Sequence, residues 1–159
     1  MKVLAIDAGK HVGLALLERG YDGRAVVLDA TTYDVRDPWC IAWCYDAVPT
    51  AWSWDAAVVE VPKGTYPGKR SSSSLTRALV EASVVGMMLA LRVGASYIVT
   101  AAEVRRMYCA SPTADDQDVK RALARMGLAM PRGNDNSHTR DAALAGVYCL
   151  RQLARRGSP

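Results

Sequence analysis

Two apolar runs, Val3-Leu4-Ala5-Ile6 and Val12 to Leu16, stand a few residues apart at the head of the chain. A short continuous apolar run is the mark of a strand buried on both faces. The link between them, Asp7-Ala8-Gly9-Lys10-His11, has room only for a tight turn, with Gly9 supplying the backbone freedom. Met1–Glu18 is therefore expected to form two paired strands, the first of them central, with Asp7 at its C-terminal end. A carboxylate there is costly unless something positive meets it. A turn or capping role explains Asp7 as well as a metal-ligand role does, and the second needs partners elsewhere in the chain.

A chain of 159 residues, half of them apolar, fits one domain over 1–159 with a real core. The most apolar segment, Leu79–Val93, is short and carries Glu81 and Arg92, so no membrane span is expected. The N-terminus lacks the charged start, apolar core and cleavage site of a signal peptide, which leads to the expectation of a cytoplasmic protein. Cys40 and Cys44 lie one helical turn apart, and Cys109 and Cys149 stand alone. Without a CxxC pair, and with two histidines in all, buried free thiols are expected rather than a zinc site. The formal charge of +4 permits nucleic-acid binding without demanding it. Its distribution says more: Lys63, Lys69 and Arg70 share one loop, Arg105 and Arg106 are adjacent, Lys120, Arg121 and Arg125 follow on a helix, and Arg151, Arg155 and Arg156 come last. Solvated faces account for most such clusters.

Arg24–Tyr33 reads as a third, meandering strand. Asp37-Pro38 opens a helix that stops near Pro49. Ala56–Val61 is a fourth strand, an apolar run with one acid in it, Glu60. A loop rich in Gly, Pro, Ser and cations follows, then a long helix over Ser74–Val93, a fifth strand over Ser96–Val99, and helices over Ala101–Tyr108, Thr113–Met126 and His138–Arg155. This order predicts an α/β fold, a five-stranded mixed sheet with helices on both faces.

Sites in such sheets gather at strand C-termini, so Asp7 and Glu60 are expected to face each other there. His138 and Asp141 are three apart and share a face at the start of an otherwise apolar helix. Each of the four has a structural alternative: an ion pair for Glu60, a surface place for His138, a dipole role for Asp141. Together they form a hard-ligand set for divalent cations. Two such ions about 4 Å apart would activate a water and stabilise the leaving oxygen in phosphodiester hydrolysis.

The strand Asp7 in Ile6-Asp7-Ala8-Gly9, the strand Glu60 in Val58-Val59-Glu60-Val61-Pro62, and the helix His138-x-x-Asp141-Ala142-Ala143-Leu144 resemble the RuvC family of Holliday junction resolvases, within the ribonuclease H-like superfamily. Thr100 to Arg105, Asp118 to Arg121 and Met126 to Leu128 also resemble that family between its last strand and last helix. The resemblance implies a ribonuclease H-like fold and a homodimeric endonuclease. Such an enzyme nicks opposing strands of a four-way DNA junction symmetrically, using Mg²⁺ or Mn²⁺. It carries Asp7, Glu60 and Asp141 over as catalytic metal ligands, with His138 where many relatives have Asp. A histidine there removes one negative charge and softens the site, which favours Mn²⁺. The loop after Glu60 matches the place where the family sets a wedge at the junction centre. Tyr66 is the candidate for stacking on a base, with a plain loop tyrosine as the alternative. Lys63, Lys69, Arg70, Arg105, Lys120 and Arg121 are the candidate DNA contacts.

One departure is Asp115, Asp116 and Asp118, which stand where the family usually carries lysines. The long helix Ser74–Val93, apolar nearly all round with Ala82, Ser83 and Gly86 allowing close approach, suggests a second face that meets another subunit. Three rival readings remain. One is a ribonuclease H-like nuclease acting on RNA or RNA–DNA hybrids, and another a non-catalytic junction-binding protein. The third, an actin-like phosphotransferase, needs two such domains, and this chain has room for one.

Overall fold

A computed structural model describes residues 1–7, 11–34, 55–61 and 95–156. Five strands, β1 (Lys2–Asp7), β2 (His11–Arg19), β3 (Ala25–Asp34), β4 (Ala56–Val61) and β5 (Ser96–Thr100), are accompanied by α1 (Ala101–Cys109), α2 (Asp116–Arg125) and α3 (Ser137–Arg156). The strands form one mixed sheet in the order β3-β2-β1-β4-β5, in which β1, β2 and β3 run as an antiparallel meander and β4 and β5 pair in parallel. The five strands, their order along the chain and the mixed sheet are those expected. Strand β1 takes the centre because Val3, Leu4, Ala5 and Ile6 are apolar on both faces, and all four are fully buried. At the edge, β3 turns Val27 and Ala30 inward and leaves Val26 and Leu28 exposed, the three-residue step following from a bulge opposite Leu16 and Leu17.

Helix α3 lies across one face. Its Ala142, Ala143, Leu144 and Cys149 join Val3, Ala5, Leu17 and Val58 in one core, which Val104 of α1 and Leu123 of α2 extend. On the opposite face Leu4, Ile6, Leu14 and Val59 are also buried. The helices expected near 37–49 and over Ser74–Val93, with the dimer surface read from the latter, lie outside the described residues. Cys109 and Cys149 are free thiols, and burial pushes that of Cys149 up to about 12; Cys40 and Cys44 lie outside the described residues.

Helix ends differ from expectation where caps decide them. Helix α2 starts at Asp116 rather than Thr113, because Asp115 and Asp118 form a reciprocal capping box. Gly127, at φ +72°, closes it.

Two glycines set how closely α3 approaches the sheet. A Cβ on Gly146 would run into Leu17 Cδ1 and lie 3.1 Å from Ala5 Cβ. A Cβ on Gly13 would collide with the backbone carbonyl of His138, at the first turn of α3. Backbone gives way less readily than a side-chain tip. Gly13→Ala is therefore expected to destabilise by about 1–3 kcal/mol and to displace the start of α3 from the sheet. Urea denaturation measures the first effect, and loss of whatever activity depends on His138 reports the second.

Candidate active site

The parallel pairing of β1 with β4 brings Asp7 and Glu60 opposite each other at the strand ends. Antiparallel pairing sets Gly13 on the other side of Asp7, and the bare Cα of Gly13 lets the first turn of α3 approach. That turn is built by Asn136. Its Oδ1 accepts from the backbone N–H groups of His138 and Thr139, both at 3.1 Å, while Thr139 Oγ1 accepts from the Asn136 N–H at 3.1 Å. This is an N-cap closed reciprocally. Asn136 Nδ2 also donates to Thr32 Oγ1 at 2.9 Å, fastening the helix start to β3. So held, α3 delivers His138 to the first strand end, where Nδ1 meets Asp7 Oδ2 at 2.9 Å.

Asp141, one turn on, meets Arg105 of α1. Arg105 Nη2 lies 2.7 Å from Asp141 Oδ2, and its Nη1 donates to the Ala114 carbonyl at 3.2 Å. Helix α1 can supply this cation because it begins where β5 ends: Thr100 is at once the last residue of the strand and the N-cap, boxed with Glu103. Arg105 thus sits little more than a turn beyond the strand end.

Three carboxylates gather around one guanidinium. Burial raises the Asp7 carboxyl to about 6, against the lowering effect of the His138 hydrogen bond. Burial and then the charges of Asp141 and Asp7 push Glu60 to about 9, with Arg105 pulling the other way. Glu60 is 4% exposed and has no hydrogen-bond partner among the described residues. Buried acids that repel one another and lack enough cations make a site short of positive charge. Oxygen donors of this kind suit a hard divalent cation. Among the described residues, however, no three His, Cys, Asp or Glu side chains are gathered tightly enough to hold an ion as they stand. One oxygen of Asp7 is held by His138 and one of Asp141 by Arg105.

The candidate DNA contacts separate by place. Lys63, Tyr66, Lys69 and Arg70 lie outside the described residues. Arg105 stands inside the acidic site. Lys120 is exposed, and Arg121 is exposed but pairs with Asp118 at 2.6 Å on its own helix. The sequence reading missed Asn136 as the cap and Arg105 as counter-charge to the carboxylates. Asn136-x-x-Thr139 ahead of an apolar run was a legible cap signal. Nothing local marked Arg105.

The architecture is a ribonuclease H-like α/β fold with its acids at the strand ends. More particularly, it is the fold of the RuvC-type Holliday junction resolvases. Thermus thermophilus RuvC superposes with a TM-score of 0.69 at 20% identity, over 99% of this chain and 97% of that one. The same protein in complex with a Holliday junction substrate gives 0.70 at 18%, again over 99% and 97%. The yeast mitochondrial Holliday junction resolvase Ydc2 gives 0.64 at 11%, over 96% of this chain and 80% of that one. Neither a family model nor a curated protein sequence matches the chain.

The raised carboxyls make stability fall with pH. A folded-state Glu60 at about 9 against an ordinary 4.5 keeps a proton that the unfolded chain has released. Folding therefore loses stability as pH rises through that window, and Asp7 adds to the loss between 3.8 and about 6. A divalent cation bound among these carboxylates would reverse the penalty. In thermal denaturation at pH 8, Mg²⁺ or Mn²⁺ at about a hundredfold excess over its Kd is expected to raise Tm by roughly 5–10 °C. The gain shrinks toward pH 5 and is lost in Glu60→Gln. A melting temperature indifferent to either ion at every pH counts against a metal site here. Arg105→Met is expected to lower the metal-free Tm and to enlarge the gain from the ion.

Proposed function

We propose that the chain is a metal-dependent, structure-selective DNA endonuclease that resolves four-way junctions by paired symmetric nicks, acting as a homodimer. The observation that carries this reading is the placement of Asp7 and Glu60 in register at adjacent parallel strand ends, with His138 and Asp141 brought to them by one helix start, in a fold shared with junction resolvases. Asp7, Glu60 and Asp141 are the carboxylate ligands, with His138 as the fourth. Bound there, Mg²⁺ or Mn²⁺ would lower the pKa of a water and stabilise charge on the leaving oxygen.

The side chains divide the remaining work. His138 Nδ1 fixes one oxygen of Asp7 and so orients the other. With Nδ1 hydrogen-bonded to Asp7, Nε2 is the ring nitrogen left for a ligand role. Arg105 holds Asp141 by one nitrogen and the Ala114 carbonyl by another, so Asp141 keeps its orientation while the local charge stays bounded. Glu60 must give up its proton to act as a ligand, which favours activity on the alkaline side of neutrality.

Cleavage of a synthetic mobile four-way junction, beside linear duplex and an RNA–DNA hybrid, in Mg²⁺ and in Mn²⁺, tests this directly. Paired symmetric nicks in the junction alone are expected, with Asp7→Asn reducing the rate by more than about 100-fold, since loss of a ligand exceeds the cost of losing its supports. Cutting of the hybrid instead would move the function to an RNA-directed nuclease. Tight junction binding with no cutting in either metal would leave a binding protein.

A further inference from the structure

At the end of the sheet remote from the acids, a cleft of about 430 Å³ opens between the end of β2, the turn into β3 and the last turns of α3. Arg19, Arg151 and Arg155 line it, over a floor that includes Val147, Leu150 and Ala154. Arg151 and Arg155 are exposed. No carboxylate among the described residues pairs with any of the three, although Arg24, Arg105, Arg121 and Arg140 each have an acid beside them. The apolar floor supports the aliphatic stems, and Arg151 also reaches the Tyr108 hydroxyl, a neutral partner that leaves its charge unbalanced. Arg19 is already fixed, since its Nε donates to the Gly23 carbonyl at 3.0 Å.

Three unneutralised guanidiniums around one opening form a seat for an oxyanion. The rise along α3 from His138 to Arg151 and Arg155 separates this seat from the acids by about 20–25 Å. A DNA strand carries a phosphate about every 3.4 Å, so the gap corresponds to roughly six or seven base pairs. We infer that Arg151 and Arg155 bind backbone phosphates of a junction arm several base pairs from the point of cleavage, and so anchor the arm along α3. This inference rests on the junction-nuclease reading above.

The test is equilibrium binding in EDTA, where nothing is cut, of two four-way junctions. One has arms of about 15 base pairs. The other has hairpin-capped arms of about five, too short to reach the cleft at 3.4 Å per step. For the Arg151→Ala, Arg155→Ala double variant, binding of the long-armed junction is expected to weaken about tenfold or more. The slope of log K against log salt is expected to fall by roughly two. Binding of the short-armed junction stays as in the native chain, and Arg151→Lys, Arg155→Lys retains most of the long-arm affinity. Melting temperatures confirm that each variant folds. Unchanged long-arm binding, or an equal loss on both junctions, overturns the inference while leaving the nuclease reading intact. A native chain that binds neither junction overturns both.

Discussion

The in-register pairing of Asp7 with Glu60 is the constraint on which the other arrangements depend. Two acids at adjacent ends of buried parallel strands repel each other in a medium that screens poorly. Every neighbouring element answers that problem. Gly13 gives up its side chain so that α3 can approach. Asn136 caps α3 and pins it to β3, which holds His138 against Asp7. Helix α1 begins without a loop at the end of β5 and brings Arg105 to Asp141. Sheet order, helix starts and charge placement thus converge on one spot for one electrostatic reason.

The acids at the head of α2, which stand where the resemblance leads one to expect lysines, have structural work. Asp115 and Asp118 close the capping box. Asp116 receives both Nε and Nη2 of Arg140, at 3.0 and 2.6 Å, while Asp135 takes Nη1 at 2.6 Å. Arg140 is 8% exposed, so this forked pair is shielded enough to matter, unlike the exposed Arg121–Asp118 pair. It fastens α2 to α3 next to Asp141. Charge that departs from the resemblance is the means by which α2 is held.

The strands were legible because continuous apolar runs mark buried parallel and central strands. Ala56–Val61 matches to the residue. The places of Asp7 and Glu60 were legible because each acid stands near the end of an apolar strand run, and those of His138 and Asp141 because their spacing sets them on one helix face. Arg105 was not, since its role comes from a junction between β5 and α1 and from a partner 36 positions away, a spacing no local pattern encodes. The closeness of α3 was equally hidden. Gly13 and Gly146 look like ordinary glycines until the neighbour that forbids a Cβ is known. Helix starts were read within a few residues, and the errors lie where side-chain caps, not hydrophobic period, set the boundary.

The charge balance of the site also bears on how an ion can enter it. As it stands, Asp7 and Asp141 each have one partner, and Glu60 has none among the described residues and is pushed toward its neutral form. A cation arriving there gains most from Glu60, whose ionisation it makes possible, and less from the two acids that already have company. On the proposed reading, proton loss from Glu60 would accompany ion uptake. His138 holds one oxygen of Asp7 and Arg105 one oxygen of Asp141, so the second oxygen of each would be the one offered to an ion. On that reading, the two side chains that make the site tolerable without metal would also be the ones that orient its ligands.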